Sequence, residues 1–289
     1  PRLSKPWLHA AFVLLLVGYG TKMGLAPMHT WKPDAYGEAP GVVGAILAGG
    51  VTSCAFLAML RTCHICFAAG EGAYVSRLLL FMGLLSMAVA SLFLVGQRDF
   101  KRMLAYSSVE HMGILALGLG IGAPALFGTL LHVVTNGLTK GVLFLSAGNI
   151  HRAYGSKSTE KVCGAMRRLP LSGTLFLAGF LAITGSPPFG PFLSEFAILN
   201  GALDAGRMAT GGLFLFLLLV VFIGMGATVL KVVQGRASPE GRNTPYRDTF
   251  LTGAPIVGLM LLVLLIGLDI PAPLAGLIRD AVLFLEGHP

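Results

Sequence analysis

The sequence predicts an all-α polytopic membrane protein of about eight transmembrane helices, two of them broken. Three observations carry this expectation. Apolar residues make up 55% of the 289 and charged residues only 12%, whereas a soluble domain carries about 25% charged residues. Apolar runs near the roughly 20 residues that cross a bilayer recur along the whole chain, and mean hydropathy is +0.78. Prolines and glycines interrupt two of those runs, one at Gly24 and Pro27 and one at Pro187, Pro188, Gly190 and Pro191.

Taken in order, the spans fall at about 7–28, 42–60, 78–96, 104–122, 125–147, 171–200 (interrupted), 211–230 and 251–268. The stretch 272–286 is short and amphipathic and is expected to lie in the interface. All 289 residues read as a single transmembrane domain. Connections on one side hold thirteen basic residues: Lys32, Arg98, Lys101, Arg102, Arg152, Lys157, Lys161, Arg167, Arg168, Lys231, Arg236, Arg242 and Arg247. The other side holds six, namely Arg2, Lys5, Arg61, Arg77, Arg207 and Arg279. The richer side is expected to be cytoplasmic, with both chain ends outward, in the cell's inner (cytoplasmic) membrane. The chain begins with Pro1 and shows no recognisable signal peptide, so it reads as the later portion of something longer.

The net charge of +8 is explained by these loop cations. No aromatic-basic surface pattern points to nucleic acid. Cys63 and Cys66 flank His64 and Ile65 in a lone C-H-I-C with no second pair, so no metal site is expected there. No dinucleotide, haem or cluster motif appears, and no cofactor is expected.

The informative residues are the ionisable ones inside apolar spans, where a charge costs about 2.5–3.5 kcal/mol on insertion scales. Lys22 lies in the first span, just before the expected break at Gly24 and Pro27. Glu110 and His111 are adjacent in the fourth span, and Glu110 is a candidate counter-charge for a lysine or an inlet from the cytoplasm. His132, Asn136 and Lys140 fall at i, i+4 and i+8, one stripe of a helix that can hold a water chain and pass protons. Glu195 follows the run Gly185–Pro191, where a new helix N-terminus would favour its ionised form. Two broken helices, each with a buried charge, are the expected trace of an inverted repeat. Lys22 and Glu195 would then be the corresponding charges.

Lysines and carboxylates suit proton movement. Burial lowers a lysine's proton affinity and a nearby carboxylate raises it again. Each pKa unit is about 1.4 kcal/mol, and one proton crossing 100 mV takes about 2.3 kcal/mol. A swing of about two units per lysine is therefore large enough to matter.

These residues also carry a resemblance. Y-G-T-K-M-G-L-A-P-M-H-T-W-K-P-D-A-Y-G-E-A-P (Tyr19–Pro40) closely resembles the broken seventh helix of the antiporter-like subunits of respiratory complex I and of membrane-bound hydrogenases. D-F-K-R-M-L-A-Y-S-S-V-E-H-M-G (Asp99–Gly113), L-H-V-V-T-N-G-L-T-K-G-V-L-F (Leu131–Phe144) and P-P-F-G-P-F-L-S-E-F (Pro187–Phe196) are similar in the same order. The Glu-His pair and the S-E-F ending look most like the F component of hydrogenase-4 and formate hydrogenlyase. The resemblance implies helices seven to fourteen of a fourteen-helix inverted-repeat fold. Residues 1–60 would then close a first half-channel, 78–268 form the second, and 272–289 be an interfacial segment.

By that likeness Lys22 matches the axis lysine of the first half, Lys140 that of the second, and Glu195 the broken-helix residue of the exit path. His132 matches a histidine of the hydrogenase-type members. Departures are visible. Ser53 and Asn136 stand where a lysine and a histidine are common, Lys32 replaces an apolar residue in the usual W-L-P-D, and Tyr36 replaces a histidine. The family's first six helices, with the glutamate that partners the Lys22 match, have no counterpart in this sequence. The resemblance implies a proton-translocating subunit without a redox centre, driven by partner membrane subunits of a hydrogenase-like or NADH:quinone-type complex. The rivals are a Na⁺/H⁺ antiporter subunit and a structural membrane subunit whose charges only hold helices together.

Overall fold

The computed structural model describes residues 4–235 and 244–287, and these are helical almost throughout, with no strand among them. Arg2, Arg236 and Arg242, counted above among the loop cations, lie outside the described residues. In chain order the helices are α1 (Lys5–Met23), α2 (Trp31–Glu38), α3 (Gly41–Ile46), α4 (Thr52–Ala68), α5 (Gly72–Leu94), α6 (Phe100–Ile121) and α7 (Ala123–Tyr154). They continue with α8 (Ala165–Arg168), α9 (Pro170–Ile183), α10 (Gly190–Asp204), α11 (Met208–Val233), α12 (Phe250–Leu268) and α13 (Ala272–Leu285). A π-helical turn, Leu47–Val51, joins α3 to α4 in one rod.

Six helical segments are long and apolar enough to cross a membrane: Gly41–Ala68, Gly72–Leu94, Phe100–Ile121, Ala123–Tyr154, Met208–Val233 and Phe250–Leu268. The other two expected spans are the interrupted ones, α1 with its break and the pair α9 and α10. Several helices overrun their apolar stretches. Arg61 and Arg77, expected in a connection, stand exposed on α4 and α5. Hydropathy marks only the hydrocarbon depth, whereas helical hydrogen bonding continues into the interface, where long arginine stems reach polar surroundings.

Helix α6 is the centre of the bundle, and all its residues but Arg102 and Tyr106 are buried. Its start is set by Asp99, whose carboxylate accepts from the amides of Lys101 (2.8 Å) and Arg102 (3.0 Å). Helix α5 lies against it at small residues. A Cβ at Gly83 would stand 2.7 Å from Leu117 N and 2.8 Å from Gly113 O, so the two backbones touch directly. Helix α7, 32 residues and about 48 Å long, crosses the other side of α6. Helix α13 is amphipathic, with Ile278 buried beside Leu131 of α7 and Leu277 and Phe284 exposed.

Both expected breaks are present and are built alike. Helix α1 ends at Gly24 (φ 78°), where Leu25 N donates to Gly20 O (2.8 Å) and Gly24 N to Thr21 O (3.0 Å). Helix α9 closes with Gly185 (φ 67°), where Ser186 N donates to Leu181 O (3.0 Å) and Gly185 N to Ala182 O (3.3 Å). This is the same left-handed glycine closure twice. In each case a proline preceded by a cis bond follows three residues after the glycine, at Pro27 and at Pro188. Polar groups freed at the first break find partners: Ala26 N donates to Ser86 Oγ (2.9 Å) and Trp31 Nε1 to Thr21 O (2.7 Å).

One end of the bundle is tied by ion pairs. Lys157 donates to Glu38 (2.5 Å), Arg102 pairs with Asp34, and Arg98 with Glu160 (3.0 Å). At the other end Glu71, in the α4–α5 turn, receives Lys5 and His9 of α1, each at 2.8 Å.

Two outcomes are expected. Gly83→Ala should cost about 1–3 kcal/mol through overpacking, while Gly50→Ala, whose added methyl meets open space, should be neutral; thermal unfolding in detergent compares them. Hydrogen bonds from Lys5 and then His9 hold the Glu71 carboxyl below the usual carboxylate range. Its stabilising contribution is therefore present above the unfolded-state value of about 4.3 and lost as pH falls through the lower folded value. The stability advantage of wild type over Glu71→Gln should accordingly be full at pH 7 and vanish on acidification below about pH 4.

Candidate functional site

The stripe expected on α7 faces α6 and α10. His132, Asn136 and Lys140 are all buried, spread over about 12 Å of helix. Lys140 is fully enclosed, and its Nζ donates to Ser107 Oγ of α6 at 2.7 Å. His132 is held on both ring nitrogens. Nε2 shares a hydrogen bond with His111 Nδ1 (3.0 Å), and Nδ1 shares one with Ser194 Oγ of α10 (2.9 Å). The two imidazoles stack with centroids 5.1 Å apart. Thr135 Oγ1 also reaches Ser194 Oγ at 3.2 Å.

Glu110 and His111 are buried together, with Glu110 Oε2 3.7 Å from His111 Nε2. Among the described residues Glu110 makes no contact ion pair with a lysine, and its charge acts on Lys140 from a longer distance. Ser107, one turn earlier on α6, takes the contact with Lys140 instead. Glu195 lies just past the second break and tucks back under it; a Cβ at Gly185 would meet its carboxyl. Glu110 Oε2, His111 Nε2, Asn136 Oδ1 and Glu195 Oε1 are buried polar atoms without a protein hydrogen bond. A line of such atoms suits exchangeable protons and water, since fully bonded groups would be locked.

Lys22 stands in the last turn of α1, where the helix closes at Gly24, and is exposed within this chain. The buried cation of the first break is Lys32, which was counted among the loop cations. After Pro27 the chain refolds into α2, and this short helix carries Lys32 into the bundle. A Cβ at Gly24 would stand 3.0 Å from Lys32 Nζ. The two left-handed glycines thus cover one amine and one carboxylate, Lys32 and Glu195.

Other members of the site were not singled out from the sequence: Ser107, Ser108, Ser194, Thr135 and His29, while Tyr36 stood out only as a departure from the family pattern. Serine and threonine inside helices read as ordinary small residues, so only their position against a lysine or histidine marks them. The helical spacing of Ser194 and Glu195 behind Pro191 was the available signal for the former.

His111, His132 and Glu195 each offer a donor atom within 4.8 Å of one another, a set that fits a cation as well as a shared proton. Cys63 and Cys66 are buried free thiols on α4. Two clefts flank the row. One of about 360 Å³ is lined by Glu38, Asn149, His151 and Arg152, and one of about 130 Å³ by Thr184, Gly185 and Glu195.

Similarities to known proteins agree with this architecture. Residues 3–223 match the family described as NADH:quinone oxidoreductase/Mrp antiporter, TM. The chain is 36% identical over 271 residues to a hydrogenase-4 component F homolog of Methylacidiphilum infernorum (isolate V4), covering 93% of this chain and 56% of that protein. It is 29% identical to a Na(+)/H(+) antiporter subunit of Alkalihalophilus pseudofirmus, over 90% of this chain and 52% of that one. A chain of respiratory complex I from Thermus thermophilus superposes with a TM-score of 0.84 at 26% identity, covering 100% of this chain and 61% of that chain. The chain therefore spans about half the length of the curated relatives it matches. A helical bundle with two matching helix breaks, most of whose length fits one family, leaves no other assignment: the chain belongs to the NADH:quinone oxidoreductase/Mrp antiporter transmembrane family.

Proposed function

We propose that this chain forms the second half-channel of a proton-translocating membrane subunit in a redox-driven complex of the hydrogenase-4 or NADH:quinone oxidoreductase type. Lys140, Glu110, His111, His132, Asn136 and Glu195 would carry the proton, and residues 1–60 would border a first half-channel. The observation that carries the reading is the continuity of the polar row. Lys140 meets Ser107, three residues later comes Glu110, then His111, His132 and Ser194, and Glu195 closes the row at the second break. All of it is buried in an apolar bundle.

Asn136 can only hydrogen-bond a water in the row; each of the other groups can hold or release a proton, and none is closed off by a contact ion pair with a lysine or arginine. In neutral imidazoles one ring nitrogen donates while the other accepts, so the His111–His132 pair passes a proton by exchanging tautomers. The cleft at Glu38 and His151 is the proposed inlet, and the cleft at Glu195 the outlet. Partner membrane subunits would supply the driving force, in the cell's inner membrane. The likeness to a Na(+)/H(+) antiporter subunit supports a second reading, in which the same row exchanges protons for sodium.

The test is proton pumping by the intact complex in sealed vesicles. Lys140→Ala is expected to lower pumping at least about tenfold at matched assembly, as the loss of an obligatory proton carrier would. Retained pumping would assign Lys140 a structural role, and a strict sodium requirement would favour the antiporter reading.

A further inference from the structure

A second cluster of charge lies at the cation-rich end of the bundle. A cleft of about 590 Å³ opens there between α8, the start of α9 and the segment that leads into α12. Arg167 and Arg168 line it on the α8 side, and Thr244, Tyr246, Arg247 and Asp248 on the other. Three arginines thus share the cleft with one aspartate. None of these residues belongs to the proton row.

The walls are held in place by bonds that use up most of this polar chemistry. Asp248 is engaged on both oxygens: Oδ2 accepts from the amides of Leu171 (3.1 Å) and Ser172 (3.0 Å), and Oδ1 from Ser172 Oγ (2.6 Å). It caps the start of α9 and neutralises no arginine. Thr244 Oγ1 donates to Ala153 O (2.9 Å) and Tyr246 Oη to Asn149 Oδ1 (2.8 Å), which straps the segment across the end of α7. Arg168 is committed too. Its Nη2 donates to Thr244 O (3.1 Å), and its guanidinium lies 4.6 Å from the centroid of the Tyr154 ring. Arg167 and Arg247 remain, both exposed, and neither has a carboxylate partner among the described residues.

An apolar surface begins where the charge ends. Phe250 and Leu251 open α12, three residues after Arg247, and are 84% and 83% exposed. Leu171, in the first turn of α9, is also exposed. Because α12 is apolar enough to cross a membrane, its first turn marks the edge of the hydrocarbon, and the two arginines stand just outside it. A ligand that satisfies both halves has an anionic head and an apolar tail. Guanidinium forks pair bidentately with phosphate, and basic pockets at the ends of membrane helices attract anionic headgroups. The excess of positive charge favours a headgroup of net negative charge over a zwitterionic one. A free anion would leave Phe250 and Leu251 uncovered.

We propose that this cleft binds an anionic phospholipid, its phosphate held by Arg167 and Arg247 and its acyl chains laid along Phe250 and Leu251. The bound lipid fastens α8 and the start of α9 to the start of α12.

The test uses the intact complex in phosphatidylcholine vesicles that carry a photoactivatable phosphatidylglycerol, with the labelled peptides read by mass spectrometry. Label is expected on the peptide that holds Phe250 and Leu251. In the double variant Arg167→Gln with Arg247→Gln, at matched assembly, that label should fall at least about tenfold, while labelling elsewhere on the chain persists. On wild type, unlabelled phosphatidylglycerol should displace the label, and added phosphatidylcholine or inorganic phosphate should not. Undiminished labelling in the double variant would overturn the proposal. So would equal displacement by phosphatidylcholine, and displacement by inorganic phosphate would assign a free-anion site instead. If the double variant does not assemble, the competition on wild type decides alone. The readout is binding and not pumping, so its result stands apart from the fate of the proton route.

Discussion

An amine inside an apolar bundle must find oxygen, and much of this structure is arranged around that need. Helix α6 supplies it twice, with Ser107 facing Lys140 and Ser108 facing Lys32. Adjacent residues on a helix point about 100° apart, so one helix can serve two neighbours only if both pack against it. That places α6 at the centre, buried on nearly every side, with α2 and α7 on its flanks. Gly83 and Gly113 let α5 approach closely enough to seal a third side. A hydroxyl rather than a carboxylate as partner leaves each amine free to change protonation without stranding an anion.

The two helix breaks do related work. Each ends a helix with a left-handed glycine and folds an ionisable side chain beneath it. Backbone groups freed at such a site would be unsatisfied in lipid. At the first break Ser86 and Trp31 satisfy them, and at the second the backbone of Pro188 and Phe189 packs against Gly267 of α12. Irregular backbone is thereby kept where protein covers it. Small residues such as Gly185 and Gly24 leave the room that the carboxylate and the amine occupy.

Between the breaks, the histidine pair gives the row its directionless middle. His132 is anchored to Ser194 through one nitrogen and shares the other with His111. Neither ring is fixed by a carboxylate in hydrogen-bonding range, so the tautomers remain exchangeable.

The sequence by itself determined the class of the protein. Charge depletion, repeated apolar runs and two proline–glycine interruptions require a bilayer and two broken helices, because each is a property of composition or of local backbone chemistry. It also marked Glu110, His111, His132, Asn136, Lys140 and Glu195, since ionisable groups in apolar spans stand out without any knowledge of packing. Only the tertiary structure decided which cation lies under the first break. Lys22 and Lys32 are both near Pro27, and hydropathy placed the former inside and the latter in a loop. The chain's reversal after Gly24, with α2 packed on α6, buries Lys32 against Ser108. The serines that hold the amines were equally invisible, because a hydroxyl becomes part of a site only through the side chain that another helix brings to it.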